Sequence, residues 1–224
     1  LKILNKETCN IITIEDPVEY TLEGINQVQL KESIGLTFSS ALRSFLRQDP
    51  DVIMVGEIRD ADTAQMAMRA SLTGHLVLST IHTNSAWGIV SRLADMGVPE
   101  YIISGTLKMV IAQRLVRLLC ENCKQKELPE LAQLPNALKN QLSETLFYTN
   151  VGCELCHYTG FKGRKAIYEL ITINDEIRSV IGAPMQEVNK LLLLQKVQFL
   201  KDKALALLKE GKTSTNEVLN IIID

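Results

Sequence analysis

The sequence predicts an α/β fold: a core with a mostly parallel sheet, then a small four-cysteine zinc-binding subdomain, then a C-terminal strand and helical region. Three observations lead there. Over residues 1–119, short apolar runs alternate with stretches of helical periodicity, the mark of strands and helices interleaved along a parallel sheet. Two Cys-x-x-Cys pairs fall within residues 120–165. Residues 166–224 begin with one short strand and continue with helical periodicity.

Taken in order, residues 10–14 (N-I-I-T-I) read as a buried strand that stops at the acidic turn Glu15-Asp16-Pro17. Residues 24–30 alternate apolar and polar side chains, as a half-buried strand does. Phe38, Ala41, Leu42, Phe45 and Leu46 then fall on one face of a helix, with Thr37 as N-cap and Asp49-Pro50 as the stop. Val52 to Val55 is apolar at every position, so both faces of that strand must be covered. Asp60 or Asp62 caps the next helix, which runs to Thr73 and ends at Gly74. Residues 75–80 (H-L-V-L-S-T) form another buried strand, a helix follows over 85–96, and a long helix is expected over 99–119. In the cysteine segment, residues 128–148 read as helical filling; beyond it come a strand over 166–172 and an amphipathic helix over 196–208, read as a solvated helix on a core rather than a membrane binder.

Composition narrows the function. The chain has 224 residues, 46% hydrophobic and 22% charged, with a mean hydropathy of +0.07, so it buries a core and is not a disordered protein. Its 24 basic and 26 acidic residues give a net charge of -2, nearly balanced on both sides of Cys120. That argues against a dedicated nucleic-acid binder. No apolar run approaches the roughly 20 residues that span a bilayer, and the opening is not a signal peptide. Any membrane role is therefore expected to be peripheral. There are no internal repeats.

Three segments carry chemistry. Asp51 to Asp60 (D-V-I-M-V-G-E-I-R-D) delivers Glu57 at the C-terminal end of a parallel strand, the edge where ligands bind in open α/β sheets. Nucleotide-hydrolysing enzymes place an acid there to hold Mg²⁺ or orient water, although many strands simply end in a surface Glu. Thr13 to Glu19 (T-I-E-D-P-V-E) puts Glu15, Asp16 and Glu19 after a second buried strand, where Asp-Pro is also an ordinary turn dipeptide. Thr73 to Asn84 (T-G-H-L-V-L-S-T-I-H-T-N) ends a third strand in short polar groups able to contact phosphate, with His75 at its start and Thr80 and His82 at its far end.

In order and spacing, E-D-P-V-E, then L-R-S-F-L-R-Q-D-P-D-V-I-M-V-G-E-I-R-D, then T-G-H-L-V-L-S-T-I-H-T-N resemble the Asp box, Walker B and His box of the secretion ATPase family, which drives type II secretion and type IV pilus assembly. The resemblance is dense over residues 12–119 and looser beyond. It implies a RecA-like P-loop NTPase core over 1–119, using ATP and Mg²⁺. It implies a homo-hexamer at the cytoplasmic face of the inner membrane, working on an inner-membrane platform protein and its associated secretion or pilus components. By position in their boxes, Glu19 resembles the catalytic glutamate, Glu57 the Walker B acid and His82 the phosphate-sensing histidine. Glu15, Asp16, Asp51, Arg59, Thr80 and His75 are further candidates for nucleotide, phosphate or Mg²⁺ contacts. Arg43 and Arg47 are candidates for interface or phosphate contacts, with solvated and ion-paired roles left open.

The family's phosphate loop, G-x-x-x-x-G-K-[S/T], has no match. Gly211-Lys212-Thr213 imitates its end, but Ala206 stands at the first glycine position and a helix rather than a strand precedes it. In the family this loop lies before the Asp box. With Leu1 as first residue, the expectation is a C-terminal fragment that starts after it, inactive alone; a degenerate protein that never had the loop is the alternative. The family's trans arginines are then expected mainly in the missing portion.

Cys120, Cys123, Cys153 and Cys156 are spaced as two metal knuckles. Each pair aims two thiolates at one centre, and together they complete a Zn²⁺ tetrahedron. Disulfides are the competing explanation, disfavoured in a cytosolic ATPase. Four thiolates leave no open position, so the metal is structural, and the adjacent His157 is a rival ligand without a vacancy. Cys9, outside the pairs, reads as a small buried apolar residue. Such an insert, with G-F-K-G-R through I-Y-E-L, resembles the assembly and secretion branch rather than retraction ATPases. The reading is the C-terminal ATPase domain of a secretion or pilus assembly motor; its rival is a zinc-organised protein-interaction module without catalytic activity.

Overall fold

Ile11–Glu15 forms β1, with Ile11, Ile12, Thr13 and Ile14 all buried. β-Branched side chains favour the extended backbone there, and cover on both faces removes any polar alternation. β1 pairs in parallel with β2 (Asn26–Gln29) on one side and β3 (Val52–Val55) on the other, and β3 pairs in parallel with β4 (Leu76–Ser79). The sheet order is β2-β1-β3-β4. The register sets Ile14 beside Val55 and Val55 beside Ser79, so three strands end level. The expected strand over 75–80 is therefore present, but it is not buried. Leu76 is 44% exposed, because among the described residues β4 is an outer strand of this sheet.

The computed structural model describes residues 1–127 and 147–223. They divide into two units, the first comprising residues 1–83, 87–110 and 172–191 and the second the described parts of 84–86, 111–171 and 192–224. In the first, α1 (Phe38–Phe45) packs on β1 and on α2 (Ala61–Leu72) through Phe38, Ala41, Leu42 and Phe45. Thr37 caps α1 as expected: its hydroxyl accepts the Ser40 N–H (3.2 Å), while Ser40 Oγ accepts the Thr37 N–H (2.9 Å). Asp60 rather than Asp62 caps α2, accepting the Thr63 N–H at 2.8 Å. The short helices α3 (Gly88–Asp95) and α4 (Glu100–Thr106) follow.

The long helix expected over 99–119 does not form. It stops at Thr106, and Met109–Leu119 is strand β5. Burial alternates along it, with Val110, Ala112 and Val116 buried and Met109, Ile111 and Leu115 exposed. The period is two, and β-branched Val110, Ile111 and Val116 suit it.

In the second unit β6 (Gln125–Glu127) and β7 (Phe147–Thr149) form an antiparallel pair, and β8 (Phe161–Thr172) forms a two-stranded sheet with β5. β8 is longer than the strand expected over 166–172. Of the helical filling expected over 128–148, residues 128–146 lie outside the described residues, and Phe147 and Tyr148 are in β7. Beyond β8, α5 (Asp175–Ser179) and most of α6 (Met185–Leu194) return to the first unit, while α7 (Leu200–Lys209) and α8 (Thr215–Ile223) belong to the second. α7 packs on α8 and buries Leu200, Ala204, Leu205, Leu207 and Leu208. Glu169 of β8 is 3% exposed. Its carboxylate accepts the Ala86 N–H (3.0 Å) and, at the start of α7, the Leu200 N–H (3.3 Å), the end of a helix where negative charge is favourable.

Candidate functional site

Because β1, β3 and β4 are parallel and end level, the residues just beyond them meet. They enclose a cleft of about 390 Å³ in the first unit, lined by Glu15, Asp16, Glu19, Glu57, Thr80 and His82 with neighbouring backbone. That volume is in the range of small-molecule sites. Four carboxylates lining one cleft repel one another and a phosphate chain, so a divalent cation between them would favour an anionic ligand.

Glu57 sits at the centre, with 12% of its side chain exposed. Its Oε2 lies 2.6 Å from Arg59 Nε and 3.4 Å from His82 Nε2. The hydrogen bond and charge of Glu57 raise the guanidinium pKa of Arg59 above its usual value. Around Glu57 the ends of β3 and β4 are tied together: Thr80 Oγ1 donates to the Gly56 carbonyl at 2.6 Å, and Ile58 N–H donates to the Thr80 carbonyl at 2.9 Å. Gly56 sits tight against the end of β1. Its N–H donates to the Ile14 carbonyl at 2.8 Å, and a Cβ there would stand 3.2 Å from that oxygen and 3.3 Å from Glu15 Cα.

The Asp box is organised differently. Glu15 Oε1 accepts the Thr13 hydroxyl (2.6 Å) and the Gln27 amide (2.9 Å). Asp16 and Pro17 turn the chain through a cis peptide bond, and Glu19 follows, exposed and on the cleft wall.

The other sequence candidates lie elsewhere. Asp51 precedes β3, at the opposite end of the strand from Glu57, where its carboxylate accepts the Asn10 N–H at 2.7 Å. His75 precedes β4 at that same far edge, its Nδ1 2.9 Å from the Ala70 carbonyl and 3.0 Å from Thr73 Oγ1. Arg43 and Arg47, at and just after the end of α1, are exposed and do not line the cleft. Thr13 and Gln27 were missed as parts of the site. The alternation over 24–30 marks a half-buried strand but not what Gln27 meets, and only the strand register places it opposite Thr13.

In the second unit the sulfurs of Cys120, Cys123, Cys153 and Cys156 all lie within 4.8 Å of one another. The Cys120–Cys153, Cys123–Cys156 and Cys153–Cys156 separations are 3.9, 3.8 and 3.8 Å. A tetrahedron with Zn–S bonds of about 2.3 Å has edges of about 3.8 Å, so the donor set fits that ion. Backbone N–H groups support the sulfurs: Gly152 donates to Cys123 Sγ (3.3 Å), and Cys153 (3.2 Å) and Gly160 (3.3 Å) donate to Cys156 Sγ. Desolvation opposes ionisation of Cys156, yet these donors bring its thiol down to about 6. Desolvation pushes the Cys123 thiol up to about 12. His157 is exposed and is not one of the converging group. All five cysteines are free, so no disulfide competes. Gly160 adopts φ +75, and a Cβ there would collide with Asn150 at 2.5 Å, which fixes glycine beside the knuckle.

A sequence profile of the family described as "Type II/IV secretion system protein" matches residues 1–220. The chain is 46% identical over 223 residues to type II secretion system protein E of Dickeya dadantii, covering 99% of this chain and 44% of that protein. It is 47% identical over 214 residues to the type IV pilus assembly ATPase PilB of Thermus thermophilus, covering 94% of this chain and 24% of that one. The chain thus spans less than half the length of these curated relatives. Among solved structures, the pilus retraction motor PilT with bound ADP superposes with a TM-score of 0.71 at 29% identity, over 100% of this chain and 55% of that chain. The ATPase DotB of Legionella pneumophila superposes at 0.68 and 23% identity over 99% and 54%, a likeness of fold alone. The RecA-like α/β fold read from the three boxes is the fold of these structures.

Proposed function

The chain belongs to the type II/IV secretion system protein family, and from that premise we propose that it forms the C-terminal ATPase domain of a motor that hydrolyses ATP to power type II protein secretion or type IV pilus assembly. The observation that carries this is the acidic cleft at the level C-terminal ends of β1, β3 and β4, with Glu57 between Arg59 and His82. Mg²⁺ bound with the nucleotide would supply positive charge against the phosphates, and Glu57, which lines the cleft together with Asp16, is the group that would hold it, directly or through water. Glu15 already accepts two hydrogen bonds, so Glu19 is the carboxylate we assign to the attacking water as general base. His82, 87% exposed at its side chain and in contact with Glu57, would meet the γ-phosphate and report its presence to the Walker B strand. Thr80 holds the frame and adds a hydroxyl to the cleft wall.

The PilT structure holds ADP, which supports a nucleotide as the ligand of this fold. The same reading assigns the phosphate cradle to a segment preceding the Asp box, and the working unit to a homo-hexamer acting on an inner-membrane platform protein from the cytoplasmic face. Among the described residues no helix is long and apolar enough to cross a membrane. Zn²⁺ on the four cysteines is assigned a structural role, since four thiolates fill its coordination shell.

Steady-state hydrolysis by the intact protein tests the proposal. Mg²⁺-dependent turnover that Glu57→Ala abolishes supports it. An intact protein that binds zinc but neither binds nor hydrolyses ATP is instead the zinc-organised interaction module.

A further inference from the structure

One side chain makes three hydrogen bonds within the Asp-box loop between β1 and β2. Gln27 stands opposite Thr13 in the β1–β2 register, on the face where Thr13 is fully buried and bonded to Glu15. Its amide uses both ends. Nε2 donates to Glu15 Oε1 at 2.9 Å and to the Tyr20 carbonyl at 3.0 Å, while Oε1 accepts the Leu22 N–H at 2.6 Å. One planar group thus joins the last residue of β1 to two backbone points just beyond Glu19. Between those anchors the chain passes Asp16, Pro17, Val18 and Glu19.

The chemistry suits the task. A carboxylate at position 27 would repel Glu15 and offer nothing to the Tyr20 carbonyl, and an aliphatic side chain would make none of the three bonds. A primary amide presents two donors and an acceptor in one rigid plane. Gln27 is half-buried and does not line the cleft, so it touches the loop and not the ligand. We propose that Gln27 is a positioning residue: it fixes the Glu15 carboxylate and the Tyr20–Leu22 backbone, and through them holds Glu19 at the cleft wall. The inference rests on the assignment of Glu19 as general base.

A misplacement of about 1 Å at a reacting group costs on the order of 10²-fold in rate. In the intact protein, Gln27→Met should therefore lower kcat about 10–100-fold with KM for ATP changed less than about threefold. Amide exchange at Leu22 should accelerate, since its acceptor is gone. Gln27→Glu keeps that acceptor but loses both donors, so it should hold Leu22 exchange slow and still lower kcat. Wild-type kcat in both variants overturns the proposal, as does a rise in KM with kcat retained, which would make Gln27 a nucleotide-binding residue. Glu19→Gln measured alongside separates the two levels. If it retains turnover while Gln27→Met does not, the loop anchor stands and the assignment of the base falls.

Discussion

Replacing Cys123 by Ser should open the four-sulfur cluster and destabilise the segment around it. Apart from Phe147, the buried side chains of residues 120–126 and 147–160 are those of Cys120 and Cys156 themselves. Burial of one Phe contributes about 2–3 kcal/mol, whereas zinc on a four-ligand peptide site contributes about 10–16 kcal/mol. Zinc held there would therefore outweigh the local core. If one of four ligands carries even a quarter of that energy, its loss costs about 2.5–4 kcal/mol, or roughly 10²–10³-fold in zinc affinity. Against a domain stability of about 5–15 kcal/mol, that lowers Tm by on the order of 10–20 °C. Elemental analysis of protein purified without chelator should give one zinc per chain, and melting with and without a competing chelator should show the loss. Cys9→Ser is the control, because Cys9 lies outside the cluster. No zinc in the native protein, or Cys123→Ser melting at the native temperature with its zinc retained, refutes the reasoning.

Glu169→Leu should cost about 2–4 kcal/mol in chemical denaturation, since it leaves the Ala86 and Leu200 N–H groups without their acceptor; Glu169→Gln, which keeps acceptor capacity, should cost about half as much. Glu217 has its pKa lowered, first by the side-chain hydrogen bond from Arg117 at 2.7 Å. A carboxylate depressed in the folded state stabilises above its unfolded pKa of about 4.3, and that stabilisation is lost as pH falls through the folded value. Glu217→Gln should therefore flatten the acid side of the stability profile by about 1 kcal/mol, a figure kept small because Arg117 is 53% exposed. An unchanged acid limb would contradict the pairing.

Where local chemistry and tertiary context agree, the sequence was readable. Val52 to Val55 is apolar at every position and is a strand covered on both faces; Thr37 and Asp60 cap the helices that their neighbours begin. Four cysteines in two knuckles announced a convergence that the fold completes. The β5 strand was not readable, because Met109–Leu119 mixes helix-forming Leu, Gln, Arg and Ala with β-branched residues and carries apolar groups at both periods. Gly105, in the last turn of α4, is the one breaker beside the extended residue Leu107 (ψ 127), and an isolated Gly inside a helical pattern does not by itself end a helix. The cleft was legible as three motifs, but its internal order was not. Asp51 and Glu57 bracket one strand and so lie at opposite edges of the sheet, and the bonds of Gln27 depend on a register that no local pattern specifies.

The division of labour between Glu19 and Glu57 is the central claim, and Glu19→Gln in the intact protein tests it. The substitution is nearly isosteric and removes only the charge. ATP affinity, measured by titration in the presence of Mg²⁺, should stay close to that of the native protein, while turnover falls about 10²–10⁴-fold, the scale of general-base loss. Near-native turnover would contradict the account, because Glu19 would then be no more than a residue of the turn that follows β1.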